Sequence, residues 1–92
     1  MIKNFKHRGL KRLYERGEKG GIRPDLLNTV ENILTVLDAS TTAQALNLPR
    51  YRLHRLKGDM KGCWAVTVRA NWRIVFRFQD GHACDVELID YH

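Results

Sequence analysis

The spacing of apolar positions changes period once along this 92-residue chain, near residue 50, from helical to alternating. Within His7 to Arg16, Leu10, Leu13 and Tyr14 fall at i, i+3 and i+4, one helical stripe that Gly17 can close. Ahead of it, Ile2 and Phe5 predict only a short edge strand within Met1 to Phe5. Glu18 to Arg23, with Gly20-Gly21, reads as a loop, and Pro24 suits the first turn of a second helix. Leu26, Leu27, Val30, Ile33, Leu34 and Leu37 carry that helix to a stop near Ala39. Ser40 to Pro49 reads as a connection with one helical turn around Ala43 to Leu46, and the two helices are expected to lie as a hairpin on a sheet.

Beyond residue 50 the apolar positions alternate through Trp64, Val66 and Val68, and again through Trp72, Ile74, Phe76 and Phe78, with a last strand over His82 to Ile89. Opposed residues of an antiparallel pair share a face, so each turn length makes a testable register. A two-residue Asp80-Gly81 turn would oppose Phe76 to Asp85 and Ile74 to Glu87, mixing core and solvent. A three-residue turn, Gln79 to Gly81, opposes Phe78 to His82, Phe76 to Cys84, Ile74 to Val86 and Trp72 to Leu88, and is the register expected. Likewise Arg69-Ala70-Asn71, with Asn71 left-handed, opposes Val68 to Trp72, Val66 to Ile74 and Trp64 to Phe76. One face is then apolar throughout and can receive the helices. The other displays Arg73, Val75 and Arg77 beside Asp85 and Glu87, with Ala65 and Thr67 on the neighbouring strand. Cys63 and Cys84 point to opposite faces in this register, which disfavours a disulfide.

The length allows one domain, residues 1–92, with a small core. At 43% hydrophobic and 28% charged the chain is expected to fold rather than stay disordered. Neither a membrane-spanning run nor a signal-peptide pattern is read, so the expected place is the cytoplasm, with no membrane partner. Two cysteines, outside any CxxC or Cys/His spacing, fit a reducing compartment and predict no metal site and no cofactor.

Charge changes the picture more. Arg50 to Arg77 holds Arg50, Arg52, Arg55, Lys57, Lys61, Arg69, Arg73 and Arg77 against Asp59 alone, a local charge of +7, whereas the whole chain carries +6. Such a block suits a polyanion, with Arg50, Arg52, Arg55, Lys61 and Arg77 as candidate RNA contacts. Trp64 and Trp72 fall on the apolar stripe and are assigned to packing rather than base stacking.

Leu53 to Asp59 places His54 and Lys57 three residues apart near a glycine bend, which taken alone is an ordinary solvated strand end. The ending Asp90-Tyr91-His92 adds a carboxylate, a phenol and an imidazole. Cutting RNA without a metal needs a base for the 2′-hydroxyl proton, an acid for the departing 5′-oxygen, and cations for charge gathering on phosphorus. His54, His92 and Asp90 can move protons, Arg73 and Lys57 can supply charge, and Tyr91 offers a stacking face.

Taken together, Met1-Ile2-Lys3 with Phe5, Leu53-His54, Leu56 to Asp59 with Gly62, Trp72-Arg73-Ile74 with Phe76 and Phe78, Val86-Glu87, and Asp90-Tyr91-His92 resemble the HigB-type toxins of the RelE/ParE superfamily. The resemblance runs from first residue to last. It implies an α+β fold with two N-terminal helices on a twisted antiparallel sheet. It also implies a ribosome-dependent endonuclease acting on mRNA in the decoding site, with ribosomal RNA touching the basic surface, and a helix-turn-helix antitoxin of the HigA type as partner. The family's functional residues fall on His54, Lys57, Arg73, Asp90, Tyr91 and His92. Arg55 stands where the family often has proline, and Ala65 where many members have serine.

Two other readings remain open on these residues. ParE-like relatives share the fold and poison gyrase by binding, though they resemble this chain less at its end. A non-catalytic RNA-binding module would use the basic face alone.

Overall fold

The helical stripes face inward as the spacing requires: Leu10, Leu26, Val30, Ile33 and Leu37 are almost wholly excluded from solvent. Residues 1–91 are described in a computed structural model, and His92 lies outside the described residues. Helix α1 spans Arg8–Arg16 and α2 spans Pro24–Ala39, with a single 3-10 turn at Ala43–Leu46 and another at Gly58–Met60. The strands are β1 His54–Arg55, β2 Trp64–Arg69, β3 Trp72–Gln79 and β4 His82–Asp90, antiparallel in that order. The fold is α+β, with both helices on one face of the sheet.

Local chemistry explains the boundaries. The His7 ring caps α1, its Nδ1 accepting the Leu10 N–H at 3.1 Å, and Gly17 closes the helix in the left-handed region at φ 68°. Pro24 opens α2 at its first turn. The loop between them brings backbone onto backbone, because a Cβ added at Gly21 would sit 2.7 Å from the Gly9 Cα. The helix hairpin closes only because both positions lack a side chain.

The N-terminal segment runs parallel along the outer edge of β4, with Lys3 N–H donating to the Ala83 carbonyl at 2.8 Å and Lys6 N–H to Val86 at 2.9 Å. It covers an otherwise open edge. Asp38 of α2 ties it down by accepting the Ile2 N–H at 3.0 Å and the Tyr14 hydroxyl at 2.6 Å. Those bonds, the Tyr14 one first, hold the Asp38 carboxyl below its ordinary range.

The β2 to β3 hairpin keeps Trp64 opposite Phe76 and Val66 opposite Ile74, as the alternation requires. Its turn is shorter than expected, though. Arg69 pairs with Trp72, the left-handed position is taken by Ala70 at φ 51° where Asn71 was expected, and a bulge between Thr67 and Arg69 absorbs the difference.

The β3 to β4 hairpin departs further from the expected register. Gln79 pairs with His82 across a two-residue turn in which Asp80 and Gly81 both have positive φ (52° and 77°), the geometry that Asp-Gly favours. The mixing of faces that this turn should cause is cancelled by a bulge. Arg77 pairs with Cys84 and Val75 with Glu87, so Asp85 and Val86 together oppose Phe76. Beyond it Ile74 meets Leu88 and Arg73 meets Ile89, two residues along from the expected partners.

The two-residue turn also corrects the cysteines. Cys84 is opposed to Arg77 and so shares its face, and Cys63, one residue before Trp64, alternates onto that face as well. Both thiols are free. The strand carrying Arg77 runs between them, and two strand spacings, about 10 Å, exceed a disulfide's reach.

Gly21→Ala should cost about 1–3 kcal/mol, because its Cβ meets backbone that cannot move aside. Gly20→Ala, with open space around it, should be neutral or slightly stabilising. Paired urea titrations separate the two. Burial holds the His7 imidazole below its usual value, although Glu87 pulls it the other way. A depressed folded-state pKa means that the unfolded chain binds the proton more readily. The stability from neutral His7 is thus present above the unfolded value of about 6.5 and lost as pH falls below it. The urea midpoint should therefore drop between about pH 7.5 and pH 5.5, and His7→Asn, a cap that does not titrate, should flatten that part of the profile.

Candidate functional site

The sheet has a second face, which no helix covers among the described residues, and the register specifies what stands on it. His54 opposes Ala65, Ala65 opposes Val75, and Val75 opposes Glu87, so these four form one row across all four strands. Thr67, Arg73 and Ile89 form the next row. Tyr91, two residues beyond Ile89, alternates to the same side, where its N–H donates to the Asn71 carbonyl at 2.8 Å. Ala65 and Val75 are 1% and 2% exposed and stand apart from the core beneath the helices. They make a small apolar floor between His54 on one side and Glu87 on the other.

His54 is exposed, and its Nδ1 lies 3.0 Å from the Arg52 carbonyl oxygen. A carbonyl can only accept, so the proton sits on Nδ1 and the neutral ring presents a bare Nε2 outward. Arg73 is half-buried. Its Nη1 donates to the carbonyls of Ala70 (2.5 Å) and Trp72 (3.1 Å), which brace the guanidinium against the β2 to β3 turn. The register expected from the sequence put Thr67 across from it on one side and Glu87 on the other; the structure keeps Thr67 and sets Ile89 in place of Glu87. From backbone spacings, two strands across and two residues along, the Cα atoms of His54 and Arg73 are about 12 Å apart. An imidazole and a guanidinium on one face, this far apart, leave room for a phosphodiester between them.

Lys57 follows two residues after β1, at the entry to the Gly58–Met60 turn, and with Lys61 it lines a shallow depression bounded by Arg55, Leu56, Gly58 and Gly62. Asp90 opposes Trp72, and by alternation from Ile89 it lies toward the helix-bearing side, at the exposed rim of β4. Thus His54, Arg73 and Tyr91 share a face, Lys57 stands at its border, and Asp90 reaches the rim from the other side. His92 was the remaining expected member and is outside the described residues.

The expected RNA contacts divide as well. Arg50 and Arg52 are exposed in the approach to β1, with Arg50 over the Tyr51 ring at 5.3 Å. Arg55 faces the opposite way from His54 and lies 5.0 Å from the Trp64 ring centroid. Arg77 is bound to Asp85, its Nε and Nη2 donating to one carboxylate oxygen at 2.9 and 2.7 Å. Asn4 holds the same aspartate, its Nδ2 donating to Oδ1 at 2.7 Å and its Oδ1 accepting the Asp85 N–H at 3.1 Å. These partners, Asn4 foremost, keep the Asp85 carboxyl below its ordinary range. Of the arginines projected onto this face, Arg77 is paired with a carboxylate, and no ion pair of Arg73 occurs among the described residues.

Ile89 beside Arg73 had no place in the sequence-based site. The Asp-Gly turn was the available signal, since accepting it forces a bulge and moves Glu87 from opposite Arg73 to opposite Val75. Among the described residues, no three His, Cys, Asp or Glu side chains converge as a metal-binding group.

Known proteins match this arrangement over its whole length. The HigB-like toxin family model, described as the RelE-like toxin of the type II toxin-antitoxin system HigB, matches residues 3–92. The chain is 46% identical over 92 residues to the endoribonuclease HigB of Proteus vulgaris, covering all of both chains. It is 29% identical over 90 residues to the toxin HigB-1 of Vibrio cholerae serotype O1, covering 96% of this chain and 95% of that one. With two helices backing an antiparallel sheet and a cationic open face in front of it, the chain belongs to the HigB-like family of RelE-like toxins from type II toxin-antitoxin systems.

Proposed function

We propose that this toxin is an endoribonuclease that cuts messenger RNA on the translating ribosome, in the cytoplasm, and is held inactive by a helix-turn-helix antitoxin of the HigA type. The observation that carries the reading is the shared face of His54 and Arg73 over the Ala65 and Val75 floor. A relative 46% identical over the full chain is named an endoribonuclease, which supports the same chemistry here.

In this reading the ribose 2′-oxygen forms a bond to the adjacent phosphorus while its proton passes to Nε2 of His54. The bond from phosphorus to the 5′-oxygen breaks, and that oxygen takes a proton from the acid supplied by the Asp90-Tyr91-His92 ending. The products are a 2′,3′-cyclic phosphate and a 5′-hydroxyl end. Arg73 and Lys57 meet the charge that builds on the non-bridging oxygens. Because the Arg73 guanidinium is braced by backbone carbonyls, little reorganisation is needed at the moment of reaction. Tyr91, 47% exposed beside the Arg73 row, offers its ring to a neighbouring base.

The Arg52 carbonyl matters beyond geometry. By keeping the proton on Nδ1 it leaves the lone pair on the outward nitrogen, the one able to receive the 2′-hydroxyl proton. His54 therefore acts as the base, and the acid comes from the chain's end.

Arg73→Ala should lower cleavage of message in programmed ribosomes by about 100-fold or more while thermal unfolding stays close to wild type. His54→Ala should lose about 100- to 10,000-fold. Equal cutting of naked and ribosome-held RNA would rule out ribosome dependence. Toxicity with intact message and relaxed or broken DNA would instead favour gyrase binding.

A further inference from the structure

Glu87 sets a negative charge on the face proposed to hold RNA, where it opposes phosphate. Val86 and Leu88 on either side of it are buried in the core beneath the helices, so Glu87 points to the open face. Its cross-strand partner is Val75, in the row that begins with His54. Arg73 opposes Ile89, so Glu87 and Arg73 are diagonal neighbours on adjacent strands, with Cα atoms about 7–8 Å apart.

Glu87 is half-buried, and among the described residues it makes no ion pair and no side-chain hydrogen bond. Nearby Asp85 is in the opposite condition, held by Arg77 and Asn4. His7, on the segment along the β4 edge, feels the Glu87 charge, but burial outweighs that pull and keeps the ring neutral at pH 7. The fold therefore satisfies one carboxylate and leaves the other, beside Arg73, with its acceptor oxygens unused.

We infer that Glu87 reads the base next to the scissile phosphate by accepting a hydrogen bond from its exocyclic amino group, and so sets a nucleotide preference at one position of the message. An ionised carboxylate only accepts. Phosphate oxygens only accept as well, so Glu87 adds nothing to the grip on the backbone and works against it. Adenine, guanine and cytosine each carry an amino group that can donate, and uracil carries none. A base is tethered to its phosphate through one sugar, and the diagonal step from Arg73 to Glu87 is comparable to that span. Half-burial strengthens the discrimination, because a base without the amino group leaves a partly desolvated carboxylate unpaired. This selectivity rests on the nuclease reading.

The test is cleavage by the full chain on ribosomes programmed with messages that differ by one amino group. Purine riboside replaces adenosine, and inosine replaces guanosine, at each position of the codon in the decoding site. At one position, loss of the amino group should lower kcat/KM of the wild type by at least about tenfold. Glu87→Ala should bring the two messages to within about twofold of each other. Glu87→Gln loses the charge but keeps an acceptor oxygen, and should retain part of the preference. A preference that survives in Glu87→Ala overturns the inference, because another group then reads the base. So does a rise in cleavage of all messages alike in both variants, the behaviour of an acid that only repels phosphate. If Glu87→Ala unfolds, Glu87→Val, a side chain suited to strands, is read by the same criteria. Message left whole by the wild type defeats the nuclease reading and this inference with it, whereas cutting that ignores the amino group defeats the inference alone.

Discussion

The arrangement of the open face depends on one extra residue in β4. Asp85, at φ 52°, forms the bulge, and its side chain and N–H secure it to Asn4 on the neighbouring segment and to Arg77 on β3. Without that insertion, the two-residue Asp-Gly turn would send Asp85 and Glu87 toward the helices and bring Val86 out to solvent. With it, Ala83, Val86 and Leu88 all reach the core. A local irregularity thus reconciles a turn preference with the burial of a whole strand.

The same bulge sorts the charges. Arg77 is spent on Asp85 close to the turn, while Glu87 comes to rest opposite Val75 and leaves Arg73 facing Ile89. The open face thereby keeps one braced arginine with Ile89, rather than Glu87, directly across from it, next to a small apolar floor. An arginine neutralised by its cross-strand partner would gain little from a phosphate. One already turned toward its turn carbonyls, in half-buried surroundings, has less freedom to lose on binding an anion such as the phosphate proposed above.

Much of this was legible in the chain itself. The stripes of Leu10 and Leu13 and of Leu26 to Leu37 place both helices, and the alternation from Trp64 to Phe78 places two strands and their mutual register at Trp64 with Phe76. The two tryptophans pack against the core, as their positions on the apolar stripe require. Where pattern reasoning failed, it failed for one reason. It assumed unbroken period-2 alternation, so it lengthened both turns to avoid a phase error that the protein corrects with a bulge in β2 and another in β4.

For the site, the sequence by itself determined the inventory: His54, Lys57, Arg73, Asp90, Tyr91 and His92 as groups able to move protons, meet charge or stack, the first three of them within a basic stretch suited to a polyanion. Only the tertiary structure decided which of them face one another. Side-chain direction in a sheet flips with every residue, so a single bulge reassigns faces, and bulges are set by long-range partners such as Asn4, far from Asp85 in the chain but adjacent to it in space.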